Sequence, residues 1–530
     1  MKNDRRSLLG SVGGIVLGLS SLVALHAAAT GAAPLLGLRT GNGGTPLTAA
    51  RACAVLSGRT IGNARLAALL VPAAAGAPTY CKVSGLIAPA LKFEFRLPDR
   101  WNGKLYYGGG GGYDGVMPPL VVAPLTEGYA EVVSNGGHDG DGMSAAFIAD
   151  NPRAAELFGS QSVPTVMRAA LKILTVVYGR PPARSYFEGC STGGQEALMA
   201  VQRNPGLFDG VIARAPGFNW VGLMGQFHHI AEALNAPGAA FSPAKTALLA
   251  RHVRNVCDDL DGIRDGIVSN PSACTAKLLD IPSLRCRGGK DTGNTCLSDA
   301  QLAVVKAWTA NLSYGGGAYY AKGHSLTGNE NDPNNFGLWA SGSGDVRKGG
   351  AYIMQDSTVK YYLAHDPKAD SLRYSPWDRD RKAIDRMAAL NDATDPDIRP
   401  FISRGGKLIV WQGGADAALS VNSTIYYMAQ MRNAVGASNA AASTRLYIAP
   451  GVNHCGGGPG ADETDLLVAL DRWVTKGAAP ATLTAVRRNA EGAIAETRPL
   501  CRYPRYPRYV GPVGSPAAAR LKVNYKCALP

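Results

Sequence analysis

Short β-type runs of alternating or consecutive apolar residues recur in the first part of the chain, and helical spacing lies between them. The predicted strands are residues 93–97, 105–107, 129–133 and 185–188, and the predicted helices are residues 163–178 and 195–203. Strands that alternate with helices are typical of a mostly parallel α/β sheet. The pattern therefore predicts an α/β core.

The alternation stops near residue 219 and returns after residue 399. Residues 219–399 carry scattered aromatic residues, Gly and Asn clusters and two local Cys pairs, with no repeated strand–helix unit. Strand and helix patterns then return at residues 407–412, 444–448 and 463–475. We expect residues 34–218 and 400–530 to form one core, and residues 219–399 to be an inserted domain that lies over it.

The first 33 residues have the pattern of an export signal. Arg5 and Arg6 precede an apolar stretch, 8–25, and small residues follow at 28–33, where cleavage is expected. The pair of arginines favours a twin-arginine signal over an ordinary secretory signal. Glycines interrupt the stretch and no later apolar run reaches the roughly 18 residues of a membrane span, so we expect a periplasmic or secreted protein without a membrane anchor.

Composition and charge narrow the function classes. The 530 residues are 46% hydrophobic and 18% charged, which is ordinary for a globular protein. The net charge of +14 comes from scattered Lys and Arg residues, and the Arg/Tyr cluster at residues 502–509 is broken by prolines. The charge therefore indicates a solvated basic surface, and a nucleic-acid partner is not expected.

The ten cysteines form an even set, as in a disulfide-bonded exported protein. Local spacing offers partners for Cys53 with Cys81, Cys257 with Cys274, Cys286 with Cys296, and Cys501 with Cys527. Cys190 and Cys455 are left over. Zinc is the competing use of cysteine, but the chain has no C-x-x-C pair.

Ser191 is the candidate nucleophile. Residues 189–193 fit G-x-S-x-G between a predicted strand and a predicted helix, which places a serine on a tight turn at the edge of an α/β-hydrolase sheet. The motif alone also arises by chance in glycine-rich surface loops. The expected chain order of nucleophile, acid and histidine is met by Asp416 and His454, each of which follows a late predicted strand. Asp462 is the rival acid, but it follows His454 and is better explained as the N-cap of the helix at 463–475.

The candidate triad gives the two remaining cysteines a role. If Ser191 and His454 come within about 3 Å, their neighbours Cys190 and Cys455 can bring their Cα atoms to the roughly 4.4–6.8 Å that a disulfide needs. The alternative is that Cys190 is a small buried residue and Cys455 a free thiol.

Two further groups of residues have candidate roles. Backbone N–H groups of Thr192 and of Gly112, the last glycine of a block at 108–112, would form an oxyanion hole; the alternative for Gly112 is a flexible hairpin tip. A calcium site is predicted in the carboxylate-rich loop at 257–267, which is not an EF-hand, and simple Asp-Gly turns are the alternative. Its predicted ligands are the side chains of Asp258, Asp261 and Asp265 and the carbonyls of Ile263 and Ile267.

The sets Cys190-Ser191, Asp416 and His454-Cys455, with the glycine block, the loop at 257–267 and residues 449–460, resemble the tannase and feruloyl esterase family of α/β-hydrolases. The resemblance covers essentially the whole mature chain. It implies an α/β-hydrolase fold with a lid inserted between nucleophile and acid, a structural calcium in the lid, a disulfide at the catalytic residues and five disulfides in all.

The resemblance also implies a serine esterase that cleaves small aromatic esters through an acyl-enzyme, with feruloyl or other hydroxycinnamoyl esters first. Galloyl esters and mono(2-hydroxyethyl) terephthalate are alternatives. The bacterial hydrolase of the terephthalate ester carries Glu where this chain has Thr192, and its substrate-binding lid arginine has no clear match at 340–370. A non-catalytic protein that binds aromatic ligands is the rival from another class.

Overall fold

The computed structural model describes residues 47–149, 151–374, 377 and 379–530. The predicted export signal, residues 1–33, lies outside the described residues. Within these ranges, no helix combines the length and apolar character needed to cross a membrane.

Sixteen strands and sixteen α-helices lie within the described residues. The strands are β1 Thr60–Ile61, β2 Ala64–Val71, β3 Tyr80–Ile87, β4 Leu91–Pro98, β5 Lys104–Gly108, β6 Ala130–Ser134, β7 Arg184–Ser191, β8 Gly210–Pro216, β9 Leu312–Tyr314, β10 Tyr319–Ala321, β11 Lys407–Gly413, β12 Thr444–Ala449, β13 Leu483–Arg488, β14 Ile494–Leu500, β15 Tyr506–Tyr509 and β16 Tyr525–Ala528. The helices are α1 Ala49–Leu56, α2 Val122–Thr126, α3 Pro152–Glu156, α4 Ser162–Tyr178, α5 Thr192–Arg203, α6 Trp220–Asn235, α7 Pro243–Cys257, α8 Ala276–Leu279, α9 Asp299–Thr309, α10 Gly350–Thr358, α11 Arg381–Asn391, α12 Arg399–Ile402, α13 Val421–Val435, α14 Ala437–Ser443, α15 Leu466–Lys476 and α16 Pro516–Ala519.

Ten strands form one sheet in the order β1-β2-β3-β4-β6-β5-β7-β8-β11-β12. Neighbours from β1 to β6 along this order are antiparallel, and all neighbours from β6 to β12 are parallel. β8 and β11 pair directly although residues 217–406, which we call the insert, separate them in the chain. The carboxyl ends of β7, β11 and β12 therefore lie at one edge of the sheet, where sites of open α/β folds are found.

Apolar side chains cover both faces of the sheet, which explains why β11 reads as a continuous apolar run. Helices α1, α4, α5 and α13 contribute to the core on one face. On the other face, α15 packs against buried aromatic residues such as Tyr186, Trp411 and Tyr447. Most buried apolar residues of the insert belong to two clusters, of which one includes Ala417 and the other includes Tyr113 and Phe158 from outside the insert, and a few, such as Phe401, join the core of the sheet. The insert is thus packed onto the core.

All five expected disulfides are present: Cys53–Cys81, Cys190–Cys455, Cys257–Cys274, Cys286–Cys296 and Cys501–Cys527. The described residues contain no free cysteine.

One helix start was predicted wrongly. Helix α15 begins at Leu466, and its N-cap is Asp465, whose side chain accepts from Val468 N at 3.0 Å. The preceding residue Glu463 pairs with Val486 in a β-bridge, so the chain there is still extended. Asp462 instead accepts a hydrogen bond from Gly457 N at 2.8 Å.

Candidate active site

Ser191 lies on a strained turn between β7 and α5. Its φ of +63° is in a region that non-glycine residues rarely adopt, and such strain is concentrated at functional sites. A Cβ at Gly189 would lie 2.6 Å from the Gly193 carbonyl carbon, and a Cβ at Gly193 would lie 2.8 Å from Gly110 O. The glycines of the motif therefore allow the turn and the glycine block to pack closely around Ser191.

Asp416 and His454 form a hydrogen-bonded pair at the carboxyl ends of β11 and β12. His454 Nδ1 lies 3.0 Å from Asp416 Oδ2. The other carboxylate oxygen of Asp416 accepts from Ala418 N at 2.9 Å and from Leu419 N at 2.8 Å, and the Asp416 side chain is fully buried. A buried carboxylate with its oxygens held in this way fixes the orientation and tautomer of the imidazole.

The disulfide joins the turn of Ser191 to the loop of His454. The Cα atoms of Cys190 and Cys455 are 5.9 Å apart, within the expected range. His454 Nε2, the ring atom that does not face Asp416, lies 3.6 Å from Cys455 Sγ. The hydrogen bonds of the described residues do not include one from Ser191 Oγ to His454, so transfer of a proton between them remains a prediction.

The two predicted oxyanion residues lie together. Thr192 Oγ1 donates to Gly112 O at 2.5 Å, and Gly193 N donates to Gly110 O at 3.1 Å. Gly112 has a φ of +59°, and a Cβ there would lie 2.1 Å from Gly142 O. No other residue type fits this position of the glycine block.

Sequence reasoning did not find a pair of buried carboxyl groups behind the glycine block. Glu196 Oε2 accepts from Gly110 N at 2.9 Å, and Asp114 Oδ1 accepts from Gly111 N at 3.0 Å. Burial raises the pKa of Glu196 to about 7, and burial together with the charge of Glu196 raises that of Asp114. No motif marks these residues, since their role depends on the packing of α5 against the block.

An apolar surface adjoins the loops of Asp416 and His454. Ala215, Ala418 and Leu419 form a buried cluster, against which Cys190, Leu223 and Trp339 pack. The ring of Trp339 meets that of His454 edge to face, with centroids 5.2 Å apart. Trp339 was among the scattered aromatic residues of the insert, and nothing in the sequence placed it beside His454.

The predicted calcium loop holds its carboxylates in a buried turn. Asp258 accepts from Gly266 N at 2.9 Å, and Asp261 accepts from Ile263 N at 3.2 Å. Burial raises the pKa of Asp261 to about 7, and the charge of Asp265 adds to this. Asp265 is paired with Arg498. Within the described residues, no group of three or more His, Cys, Asp or Glu side chains could by itself hold a metal ion.

Comparison with known proteins identifies close relatives of the sequence. The family model "Tannase and feruloyl esterase" matches residues 75–528. A mono(2-hydroxyethyl) terephthalate hydrolase of Piscinibacter sakaiensis is 31% identical, with 88% of this chain and 87% of the relative covered. Feruloyl esterase B of Aspergillus niger is 29% identical, with 86% of this chain and 89% of the relative covered.

Solved structures with the same fold come from the same group of proteins. An esterase from Aspergillus oryzae matches with a TM-score of 0.80 at 24% identity, over 90% of this chain and all of the other. Tannin acyl hydrolase from Aspergillus niger matches with a TM-score of 0.70 at 21% identity, over 92% of this chain and 97% of the other. These matches and the mostly parallel sheet confirm the predicted α/β-hydrolase fold.

Proposed function

The chain belongs to the tannase and feruloyl esterase family and is a carboxylic ester hydrolase; from this premise we propose that it cleaves aromatic esters through an acyl-enzyme on Ser191. The observation that carries the proposal is the hydrogen bond between His454 and buried Asp416. The loop of His454 is in turn joined to the turn of Ser191 by a disulfide. Each of the three residues then has a role that its surroundings support.

In the proposed reaction, Ser191 Oγ attacks the ester carbonyl while His454 Nε2 takes its proton and then gives it to the leaving alcohol. Asp416 holds the imidazole and stabilises its charged form. The N–H groups of Thr192 and Gly112 donate to the oxyanion. Water, with His454 again as the base, then hydrolyses the acyl-enzyme and releases the acid.

We propose an aromatic acyl group because of the apolar surface beside His454. Trp339 and Leu223, with Leu419, offer a wall on which a phenyl ring can pack, since a ring gains both apolar contact and aromatic edge interactions there. Hydroxycinnamoyl esters are the first choice, and galloyl esters and the terephthalate monoester are the alternatives.

The experiment that tests this function compares the wild type with Ser191→Ala. We expect the variant to lose ester hydrolysis and labelling by a fluorophosphonate while its melting temperature stays close to that of the wild type. Turnover in the variant would refute the role of Ser191, and absence of labelling in the wild type would favour a non-catalytic binding protein. Values of kcat/KM for methyl ferulate, methyl gallate and the terephthalate monoester then rank the substrates.

We also propose a structural calcium ion in the loop at 257–267. The donor set is oxygen-only, and among the described residues no Lys or Arg forms an ion pair with the two buried carboxylates, Asp258 and Asp261, which suits a hard divalent ion. The carbonyls of Ile263 and Ile267 and the Asp265 carboxylate would complete the set. Excess chelator should lower the melting temperature, while kcat measured well below that temperature should change little. An unchanged melting temperature, with no calcium by elemental analysis, would contradict the site.

Five disulfides are typical of proteins that fold in an oxidising compartment. We propose that the protein works in the periplasm or outside the cell. Fractionation of an expressing culture, with Ser191 labelled by the fluorophosphonate in each fraction, distinguishes these two locations from the cytoplasm.

A further inference from the structure

A side chain of the insert bridges the loops of the acid and the histidine. Asn335 Nδ2 lies 2.6 Å from Ala415 O and 2.8 Å from Asn453 Oδ1. Ala415 immediately precedes Asp416, and Asn453 immediately precedes His454. One amide group therefore contacts both neighbours of the Asp416–His454 pair.

The orientation of this amide follows from its third contact. Asn335 Oδ1 accepts from Phe336 N at 2.9 Å, so the other end of the amide must be the NH2 group, which supplies two donors. The Asn453 amide is fixed in the same way, since its Nδ2 donates to Asp332 Oδ1 at 2.8 Å. Both side chains are almost fully buried, with exposures of 2% for Asn335 and 1% for Asn453.

Burial makes the bridge costly to lose. If Asn335 were removed, Ala415 O and Asn453 Oδ1 would lose a donor in a place where water is largely excluded. Backbone hydrogen bonds from Ala415 N to Val452 O at 2.9 Å and from Gly414 N to Ala449 O at 2.7 Å also join the two loops.

We propose that Asn335 is a positioning residue, which holds Asp416 and His454 at their hydrogen-bonding distance from within the insert. The proposal rests on the proposed function of those two residues. It gives the insert a part in the catalytic geometry, beyond covering the substrate. The acid and histidine loops are then joined through Asn335, just as the serine and histidine loops are joined through the disulfide.

The test uses Asn335→Ala, which removes both donors, and Asn335→Asp, which keeps the shape but cannot donate. Displacement of the imidazole slows the chemical step but hardly changes the affinity for substrate. We therefore expect kcat to fall by about 10- to 100-fold, with KM within about twofold of the wild-type value. In Asn335→Ala the acidic limb of the kcat/KM profile, which reports protonation of the base, should move to lower pH because the imidazolium loses its fixed carboxylate.

Two other titratable groups lie close to the bridge or to the acid. They are Asp332, which is bonded to Asn453, and His324, which interacts with Asp416 and whose pKa burial lowers to about 4. His324 is therefore neutral near pH 7, and the shifted limb can be assigned to the base of the triad. The downfield proton resonance of His454 Nδ1–H gives a second readout, which should weaken or broaden in both Asn335 variants.

Two matched controls separate positioning from stability. Asn329→Ala removes another buried amide of the insert, whose Nδ2 donates to Gly451 O at 3.0 Å and which does not reach the acid loop. It should lower the melting temperature about as much as Asn335→Ala but keep the wild-type pH profile. Asn334→Ala, at an exposed position, should change neither.

The proposal is overturned if folded Asn335 variants keep the wild-type kcat and pH profile, or if Asn329→Ala reproduces their pH profile. Should Asn335→Ala not fold, the same measurements on Asn335→Asp decide. A failure of the proposed function looks different, because Ser191→Ala would then remain active whatever the Asn335 variants do.

Discussion

Removal of the disulfide between Cys190 and Cys455 should affect stability and catalysis together. The perturbation is the double variant Cys190→Ala/Cys455→Ala, which leaves the other four bridges intact. Its matched control is Cys286→Ala/Cys296→Ala, which removes a bridge within the insert.

The expected loss of stability follows from the length of chain that each bridge closes. The separations are 265 residues for Cys190–Cys455 and 10 residues for Cys286–Cys296. On the chain-entropy estimate, these bridges restrict the unfolded chain by about 6 and about 3 kcal/mol. Because the first bridge also joins the turn of Ser191 to the loop of His454, we expect its loss to lower kcat by about 10- to 100-fold, since small displacements of reacting groups are costly.

The assay is equilibrium urea unfolding without reductant, with kcat and KM measured on methyl ferulate. The control should lose stability but keep kcat. If the Cys190/Cys455 variant keeps the wild-type kcat, the disulfide does not position the catalytic residues. If it loses no more stability than the control, the chain-entropy estimate does not describe this protein.

Two further predictions concern Glu196 and Trp339. Because burial raises the pKa of Glu196 from 4.5 to about 7, its titration should cost the wild type up to about 3 kcal/mol of stability as pH rises through that interval. Burial also raises the pKa of Asp114, Asp261 and Asp392, so Glu196→Gln should make this pH dependence smaller without abolishing it. Parallel urea-unfolding profiles for variant and wild type from pH 4.5 to 8 would contradict the contribution of Glu196. Trp339→Ala should raise KM for methyl ferulate more than for methyl acetate, because only the first ester has a ring that can pack on Trp339. Equal effects on both esters would exclude an aromatic contact. The control is Leu338→Ala, at an exposed neighbouring position.

Much of the candidate site could be predicted from the sequence because its signals are local. Residues 189–193 specify a tight turn between a strand and a helix, and the order of Ser191, Asp416 and His454 is that of the fold. The four disulfides with short separations follow from spacing, and the fifth from the flanking positions of Cys190 and Cys455. The start of α15 was missed because Glu463 pairs with Val486, a contact that the local pattern does not contain.

The sequence by itself thus determined the α/β class and the family, and it predicted the residues proposed to carry the chemistry, since each signal depends on local motifs and on their order along the chain. Only the tertiary structure decided which side chains surround them. Asn335 lies 80 residues from Ala415 and 118 from Asn453, and the contact arises because the insert folds back onto the edge of the sheet. The same holds for Trp339 beside His454 and for Glu196 behind the glycine block. Contacts of this kind are set by packing, and no periodicity along the chain encodes them.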